Sequence, residues 1–197
     1  MKKIALTGNI ASGKSQIENF FSKANYPVLD TDMVCRELLE NDRLIISQAA
    51  CLFKDYDIFL QKGKFDRKKI SQLIFSDEHL KKGLEGILHP KVREEILKFF
   101  KNNTDKDLAV VSVPLLFEAK MENLFDSIIF VSADEKIRLQ RLKSRNNMDE
   151  KTALARINAQ DPELEKILKS DFVIENNADL AKLYESFENI LQELLKM

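Results

Sequence analysis

Residues 8–15 have the types and spacing of a phosphate-binding loop. Two glycines with four residues between them let backbone N–H groups curl around phosphate oxygens, and the following lysine adds a positive charge between the β and γ phosphates. The next residue, Ser15, supplies a hydroxyl ligand for Mg²⁺. A strand-like run precedes the loop and an amphipathic run follows it, which favours nucleotide binding over a chance strand-to-helix turn. The stretch reads Gly8-Asn9-Ile10-Ala11-Ser12-Gly13-Lys14-Ser15 and fits G-x-x-x-x-G-K-[ST].

Two carboxylates follow the second apolar run of the chain. Asp30 and Asp32 end the segment 28–32, and both lie on one side of the strand if it is still extended there. At the carboxyl edge of a parallel sheet, one carboxylate can take a proton from an attacking hydroxyl while the other positions the acceptor. Asp32 is equally well placed to cap a helix at 33–40. Both interpretations of Asp32 stay open at this point.

Three arginines are spaced to share one face of a helix. Arg138, Arg141 and Arg145 follow the spacing i, i+3, i+7. Guanidinium groups that lie close together repel one another unless an anion joins them, and a transferring γ-phosphate is such an anion. The alternative is a solvated charged face relieved by Asp134 and Glu135. The phosphate-binding loop upstream favours a catalytic lid.

Two further segments carry weaker signals. The apolar run 110–113 stops at Pro114, and the acid beyond it, Glu118, either touches Mg²⁺ or substrate or begins a helix. In phosphate-loop enzymes a strand in this position usually ends in Asp, and this one does not. His89 precedes Pro90, which fits the first turn of a helix, so His89 is either structural or a ligand contact.

Five short apolar or β-branched runs predict strands that are buried on both faces. Helical periodicity fills the segments between them. This alternation predicts an α/β fold with a P-loop NTPase-type parallel five-stranded sheet flanked by helices, an inserted helical substrate lobe and a helical lid. The predicted strands are 3–7, 28–30, 108–113, 127–131 and 172–174, and the predicted helical stretches are 15–24, 33–102, 135–145, 151–160 and 179–195.

One connection is far longer than the roughly 12 residues that a crossover between parallel strands requires. It links the second strand to the third and carries helical patterns throughout. The sequence therefore predicts a helical lobe at 33–105, inserted into a nucleotide-binding core at 1–32 and 106–197; that this is an acceptor-binding lobe is what the family resemblance described below implies. The lid of that core is predicted at about 138–160.

Composition and charge exclude several classes of protein. Of 197 residues, 44% are hydrophobic and 32% are charged, which is typical of a globular fold and not of a disordered chain. The 31 Lys and Arg against 32 Asp and Glu leave a formal charge of -1, so we expect no nucleic-acid or membrane partner. Cys35 and Cys51 lack the spacing of metal ligands. We expect reduced thiols, no structural metal, and a cytoplasmic protein that is a monomer or a weak homo-oligomer.

Several motifs taken together resemble the dephospho-CoA kinase family, P-loop enzymes that phosphorylate the ribose 3′-hydroxyl of dephospho-CoA in the last step of CoA synthesis. Many families share the loop, whereas D-x-D after strand two, H-P-x-V-R and P-L-L-F-E in this order are specific. The resemblance covers the chain except for its C-terminal helix. It is carried by 6–15, 30–32, 63–67, 88–90 with Arg93, 113–118, Arg141 with Arg145, Gln160, and 171–174 with Asn176.

The resemblance implies a role for each matching residue. Asp32 is the general base toward the 3′-hydroxyl, Lys14 and Arg141 steady the transferring phosphoryl group, and Ser15 holds Mg²⁺. The implied partners are ATP, with Mg²⁺, and dephospho-CoA. The implied ATP contacts are Gly8, Asn9, Ile10, Ala11, Ser12, Gly13, Lys14, Ser15, Gln16, Arg145 and Asn176, the last beside the adenine. The implied acceptor contacts are Asp30, Arg67, His89, Arg93, Leu115, Leu116 and Glu118.

Five positions depart from the family pattern: the usual F-G is Phe53-Lys54 here, and the other four lie in the loop and the predicted lid. The family loop usually has Gly, Gly and Thr where this chain has Asn9, Ala11 and Gln16. We expect Ala11 to be tolerated only if its φ is not positive. The Gln that usually stands three residues before the lid arginine is Arg138 here, which adds either a phosphate contact or a surface charge.

Two rival functions remain at this stage. Another small-metabolite or nucleoside monophosphate kinase would share the loop, the lid arginines and the chain length, and would differ in its acceptor lobe. A non-catalytic, nucleotide-dependent switch of the GTPase type would need an N-K-x-D guanine motif and a D-x-x-G after strand three. The sequence contains neither motif.

Overall fold

The computed structural model describes residues 1–60, 64–146 and 148–196, without the side chains of Arg145 and Asn146. The strands within these residues are β1 (Lys2–Gly8), β2 (Val28–Asp30), β3 (Leu108–Ser112), β4 (Ser127–Ser132) and β5 (Phe172–Glu175). They form one parallel sheet in the order β2-β3-β1-β4-β5. The predicted fold class is therefore confirmed, with β1 at the centre of the sheet.

Burial of the strands follows their position in the sheet. The residues of β3 are all buried, and β1 and β4 are buried over most of their length. The edge strands β2 and β5 are only partly buried, so the prediction of burial on both faces is wrong for these two. An edge strand has a neighbour on one side only, which leaves part of it accessible to solvent.

The described residues form helices between these strands and after the last of them. Those with an apolar face packed on the sheet repeat buried residues at three- and four-residue intervals, as the sequence pattern predicts. The α-helices of the described residues are α1 (Lys14–Lys23), α2 (Thr31–Asn41), α3 (Arg43–Leu52), α4 (Arg67–Ser76), α5 (Glu78–Asn102), α6 (Glu135–Asn146), α7 (Glu150–Asn158), α8 (Glu163–Leu168) and α9 (Leu180–Lys196).

The chain divides into two compact units. Met1–Asp30 and Phe99–Met197 form the first, which contains the sheet, and Thr31–Lys98 form the second. In the first unit, α1 and α9 pack on the sheet, and the rings of Phe21 and Phe187 meet edge to face with centroids 4.8 Å apart. Because this packing fixes α1, it also fixes the loop that precedes it.

The second unit is built mainly from α2 to α5. A Cβ at Gly83 would lie 2.6 Å from Cδ1 of Leu52, so glycine allows α5 to approach α3 closely. The prediction that Pro90 lies in the first turn of a helix is wrong, because α5 continues through it. Pro90 has no N–H and cannot donate to the carbonyl of Gly86, four residues earlier. The acceptor-binding role predicted for this segment stays a prediction.

Candidate functional site

The phosphate-binding loop joins the end of β1 to the start of α1. Both of its glycines stand where a side chain would collide with the neighbouring chain. A Cβ at Gly8 would lie 2.5 Å from the carbonyl oxygen of Val131, and a Cβ at Gly13 would lie 2.0 Å from Nδ2 of Asn176. Gly13 also has a φ of 99°, in the region that favours glycine. The loop backbone is therefore closely enclosed by the ends of β4 and β5.

Ala11 has a positive φ of 61°, so the expectation that its φ would not be positive is wrong. For a residue with a Cβ, this conformation costs about 1–2 kcal/mol. The methyl group packs against a small apolar cluster in the lid, formed by Leu142, Ala153 and Ile157. This contact offsets part of the backbone cost.

Lys14 and Glu18 form an ion pair at the start of α1. Nζ of Lys14 donates to Oε1 of Glu18 at 2.7 Å and also to Oγ of Ser112. Oγ of Ser112 donates in turn to Oε1 of Glu18 at 2.6 Å. Sequence reasoning missed Glu18 and Ser112. The i, i+4 spacing of Glu18 from Lys14 was a signal that could have found the first of them.

Arg141 on α6 braces the loop directly. Its Nη1 donates to the carbonyl oxygens of Ala11 and Ser12 at 3.2 and 3.1 Å. Its Nη2 donates to the backbone oxygen and to Oδ1 of Asn176, at 3.0 and 3.2 Å. Burial lowers the pKa of the Arg141 guanidinium. The structure thus brings together Arg141, Asn176 and the loop, three candidates that are far apart in sequence.

Asn176 is 5% exposed and contacts the loop directly as well as Arg141. Its Nδ2 donates to the carbonyl oxygen of Ser12 at 2.7 Å, and its own backbone N–H donates to Ser132 at the end of β4. Its side chain is therefore committed to holding the loop. The contact with adenine proposed by resemblance remains a prediction.

Arg138 on α6 is buried and is not part of a solvated charged face, so that alternative is wrong for this residue. Its Nε donates to the carbonyl oxygen of Ala133 at 3.0 Å, and its Nη2 lies 3.3 Å from Oε2 of Glu163. The guanidinium of Arg138 therefore forms an ion pair inside the protein and is not a surface charge. The side chain of Arg145 lies outside the described residues.

Glu163 on α8 connects this buried arginine to the loop. Its Oε2 also accepts from Nδ2 of Asn9 at 3.2 Å, and its Oε1 accepts from Oγ of Ser132 at 2.5 Å. The sequence patterns did not predict a helix here. Two of the residues that depart from the family pattern, Asn9 and Arg138, therefore share one carboxylate.

Lys166 lies one turn further along α8 and is buried. Its Nζ donates to Oε1 of Glu118 at 2.6 Å and to Oδ1 of Asn9 at 3.4 Å. Glu118 lies in a series of turns and does not begin a helix, so the helix-start alternative is wrong. Its carboxylate is held by an ammonium group beside the second residue of the loop.

The segment between α7 and α8 makes a further contact with the loop through Gln160. Its Oε1 accepts from the backbone N–H of Ile10 at 2.7 Å. Beside Asn9 there is also a cavity of about 570 Å³. Its lining contains four carboxylates and one guanidinium, a balance of charge that does not favour a phosphate. The lining acids are Asp134, Glu135, Asp161 and Glu163, and the cation is Arg138.

Asp30 and Asp32 do not form the extended pair that the sequence predicts. Asp30 is the last residue of β2, and α2 begins at Thr31, so Asp32 lies in the first turn of that helix. The interpretation of Asp32 as the cap of a helix starting at 33 is wrong for the same reason. A carboxylate in the first turn is stabilised by the helix dipole. The role of Asp32 as a base stays a prediction.

Three predicted acceptor contacts lie in the second unit. Arg67 is exposed at the start of α4, whereas His89 and Arg93 are half-buried and one turn apart on α5. Burial lowers the pKa of His89, Arg93 lowers it further, and Glu85 opposes the shift. Of the motif at 63–67, Gly63 lies outside the described residues.

The two predicted leucine contacts differ in accessibility. Leu115 is 39% exposed, whereas Leu116 is completely buried in the core of the first unit. Leu115 can therefore touch a ligand without rearrangement, and Leu116 can do so only through its backbone. Nothing in the geometry links either one to an acceptor, so both stay predictions.

The dephospho-CoA kinase family model matches residues 2–182. This chain belongs to the dephospho-CoA kinase family. It is 38% identical over 192 residues to the dephospho-CoA kinase of Oceanobacillus iheyensis, with 96% of each chain covered. It is 35% identical over 199 residues to that of Listeria monocytogenes, with 99% of this chain and 98% of the relative covered.

Solved structures agree with this assignment. The crystal structure of TT1252 from Thermus thermophilus is 32% identical with a TM-score of 0.84, and covers 98% of this chain and 97% of its own. The dephospho-CoA kinase from Campylobacter jejuni is 26% identical with a TM-score of 0.72 and the same coverage. A shikimate kinase from Acinetobacter baumannii, 16% identical with a TM-score of 0.57, shares the fold alone.

Two further features of the described residues bear on ligands. None of their helices is both long enough and apolar enough to cross a membrane. Within the same residues, no group of three or more His, Cys, Asp or Glu side chains could hold a metal ion on its own.

Proposed function

We propose that this chain transfers the γ-phosphoryl group of ATP to the ribose 3′-hydroxyl of dephospho-CoA, which gives CoA and ADP in the last step of CoA synthesis. The observation that carries this proposal is the family match over residues 2–182, which includes a complete phosphate-binding loop. The named relatives are matched over nearly their full length. This coverage supports the proposal that the chain has both a nucleotide-binding and an acceptor-binding part.

The loop and Lys14 are proposed to bind the triphosphate of ATP. The backbone N–H groups of the loop and the start of α1 favour anions. Lys14 lies at the first position of α1 and is paired with Glu18 in the described structure. On ATP binding, its ammonium would contact the β and γ phosphates and offset the charge that develops during transfer.

Ser15 is proposed to hold Mg²⁺ together with the phosphates. Its hydroxyl is exposed in the first turn of α1, so the donor chemistry and accessibility of this residue fit the ion. Held there by Ser15, Mg²⁺ would neutralise part of the charge of the phosphates. The remaining chemistry is assigned to side chains of the protein.

Asp32 is proposed to accept the proton of the attacking 3′-hydroxyl. The residue is exposed in the first turn of α2, where its carboxylate is accessible to an acceptor hydroxyl. Arg141 is proposed to stabilise the charge of the transferring group. Its present contacts with the carbonyl oxygens of Ala11 and Ser12 hold it at the edge of the loop.

The other predicted contacts keep the roles that the family resemblance implies. The proposed ATP site extends beyond the loop to Gln16, Arg145 and Asn176. For dephospho-CoA, we propose contacts with Arg67, His89 and Arg93 in the second unit. In the first unit, the proposed acceptor contacts are Asp30, Leu115, Leu116 and Glu118. We also propose that the protein is cytoplasmic, that it is a monomer or weak homo-oligomer, and that it has no nucleic-acid or membrane partner.

Release of ADP in a coupled assay tests this function against the rival small-metabolite kinases. The purified chain is given Mg·ATP with dephospho-CoA, adenosine, AMP or shikimate as acceptor. The proposal predicts rapid ADP release with dephospho-CoA and slow release with the other three. A preference for AMP or shikimate would instead identify a different kinase, and ADP release that ignores the acceptor would indicate simple hydrolysis.

A further inference from the structure

The strand that should carry a metal-binding acid in a P-loop enzyme ends without one. In such enzymes Mg²⁺ is held by the loop Ser or Thr and by an Asp at the end of a neighbouring strand. Here β3 lies next to β1 and reads Leu-Ala-Val-Val-Ser, so its last residue is Ser112. A neutral hydroxyl cannot replace the charge of that carboxylate.

A carboxylate from another element nevertheless reaches this position. Glu18 projects from α1, and its Oε1 accepts from Oγ of Ser112 at 2.6 Å and from Nζ of Lys14 at 2.7 Å. Its side chain is 18% exposed. On α1, Glu18 follows Ser15 by three residues and Lys14 by four, so all three share one side of the helix.

We infer that Glu18 replaces the missing strand-end acid and serves as the protein carboxylate of the Mg²⁺ site. This inference rests on the proposed function and deepens it. Ser15 and the phosphates of the nucleotide would supply the other ligands. Ser112, fully buried at the end of β3, positions the carboxylate by donating a hydrogen bond to it.

A simpler role for Glu18 is to neutralise Lys14 through their ion pair. Nucleotide binding with and without metal distinguishes this role from metal binding. If Glu18 only neutralises Lys14 until nucleotide binds, it competes with phosphate, and its removal should tighten nucleotide binding whether or not metal is present. A metal carboxylate gives the opposite result with Mg²⁺. Its removal should weaken Mg·nucleotide binding and leave metal-free binding unchanged or tighter.

The first experiment measures ADP binding to the wild type and to Glu18→Gln by calorimetry, in MgCl₂ and in EDTA. It also measures Mn²⁺ binding to the ADP complex by electron paramagnetic resonance. We expect Glu18→Gln to weaken Mn²⁺ binding about 10- to 100-fold, as the loss of a group that supports a metal site does. Glu185→Gln, an exposed residue on α9, makes the same charge change as a control.

The second experiment places a carboxylate at the end of β3. The double variant Glu18→Gln, Ser112→Asp should recover most of the lost Mn²⁺ affinity, because the carboxylate again lies beside the loop. Glu18→Asp, which keeps the charge, should bind Mn²⁺ more tightly than Glu18→Gln. A thermal melt of each variant confirms that it is folded before binding is measured.

Wild-type Mn²⁺ affinity in Glu18→Gln would overturn the inference, as would tighter ADP binding in both MgCl₂ and EDTA. Failure of the double variant to recover Mn²⁺ binding would show that Glu18 does not replace an acid at the end of β3. These readouts need no acceptor. A chain that phosphorylates some other acceptor would therefore still give the expected metal result, and the two proposals can fail separately.

Discussion

Asn9 of the phosphate-binding loop donates to Oε2 of Glu163 at 3.2 Å, although 154 residues separate the two in sequence. The same oxygen lies 3.3 Å from Nη2 of the buried Arg138. Asn9 and Arg138 each replace a different residue of the family pattern. Their shared contact indicates that the two replacements belong together, with Glu163 of α8 linking α6 to the loop.

Glu163→Gln should destabilise the protein and weaken ATP binding. It removes the charge that compensates Arg138, which is only 6% exposed, so we expect a loss of about 2–4 kcal/mol in the free energy of unfolding. The loop would also lose a fixed partner for Asn9, and KM for ATP should rise. Urea denaturation and steady-state kinetics measure the two effects.

The exposed Glu165 provides the control for this experiment, because Glu165→Gln makes the same change on the same short helix. It should leave both stability and KM close to the wild-type values. Equal behaviour of the two variants would show that the contacts of Glu163 contribute nothing to the loop.

Arg141→Ala should reduce both turnover and stability. A charge that stabilises the transferring phosphoryl group contributes about 10³- to 10⁵-fold to the rate in related chemistry, so kcat should fall far more than the affinity for ATP. Loss of the bonds to Ala11, Ser12 and Asn176 should cost about 1–2 kcal/mol of stability. If the variant instead changed KM for ATP alone, Arg141 would be a ground-state contact.

Asp32→Asn should lower kcat by about 10²- to 10⁴-fold with little change in the melting temperature, because an amide cannot accept the proton of the 3′-hydroxyl. Asp30→Asn is the matched variant, two residues earlier. Turnover with dephospho-CoA and a thermal melt are measured for both. Near wild-type turnover in Asp32→Asn would remove it from the catalytic residues, and a large loss confined to Asp30→Asn would transfer the role of base to Asp30.

His89 should make the stability of the protein fall at acid pH. Its pKa in the folded state lies below its usual value of 6.5, mainly because of burial, so the unfolded chain binds the proton more readily. The contribution of neutral His89 is complete above pH 6.5 and is lost as the pH falls through 6.5 toward the folded-state pKa. Replacing His89 with Gln should therefore flatten the pH dependence of unfolding between about pH 7 and 5.

His79 is the only other histidine in the chain and is exposed, which makes His79→Gln the control. Urea denaturation at several pH values should give the same slope for His79→Gln as for the wild type. An unchanged slope in His89→Gln would mean that other groups cause the acid sensitivity.

The sheet and the phosphate-binding loop could be predicted from the sequence because their signals are local. Five short apolar runs identify the strands, and the spacing of Gly8, Gly13, Lys14 and Ser15 identifies the loop. Neither inference needs to know which strands become neighbours. The order of the strands then places the loop at the centre of the sheet.

The contacts around the loop could not be predicted in the same way. Glu18 meets Ser112 across 94 residues, and Glu163 meets Asn9 across 154, so both contacts depend on how the elements pack. The helix α8 has only six residues, too few for its periodicity to stand out. At Ala11, packing of the methyl group against Leu142, Ala153 and Ile157 offsets part of the cost of a backbone conformation that favours glycine, and the loop pattern alone does not show this contact.

The position of the new phosphate in the product tests the central claim most directly. The purified chain is incubated with Mg·ATP and dephospho-CoA, and the product is identified by mass spectrometry and ³¹P NMR, with Lys14→Ala as the inactive control. The account predicts a 3′-phosphomonoester identical to CoA and an equal amount of ADP, and almost none of either with Lys14→Ala. ADP without CoA, a phosphate on another hydroxyl, or full activity in Lys14→Ala would contradict it.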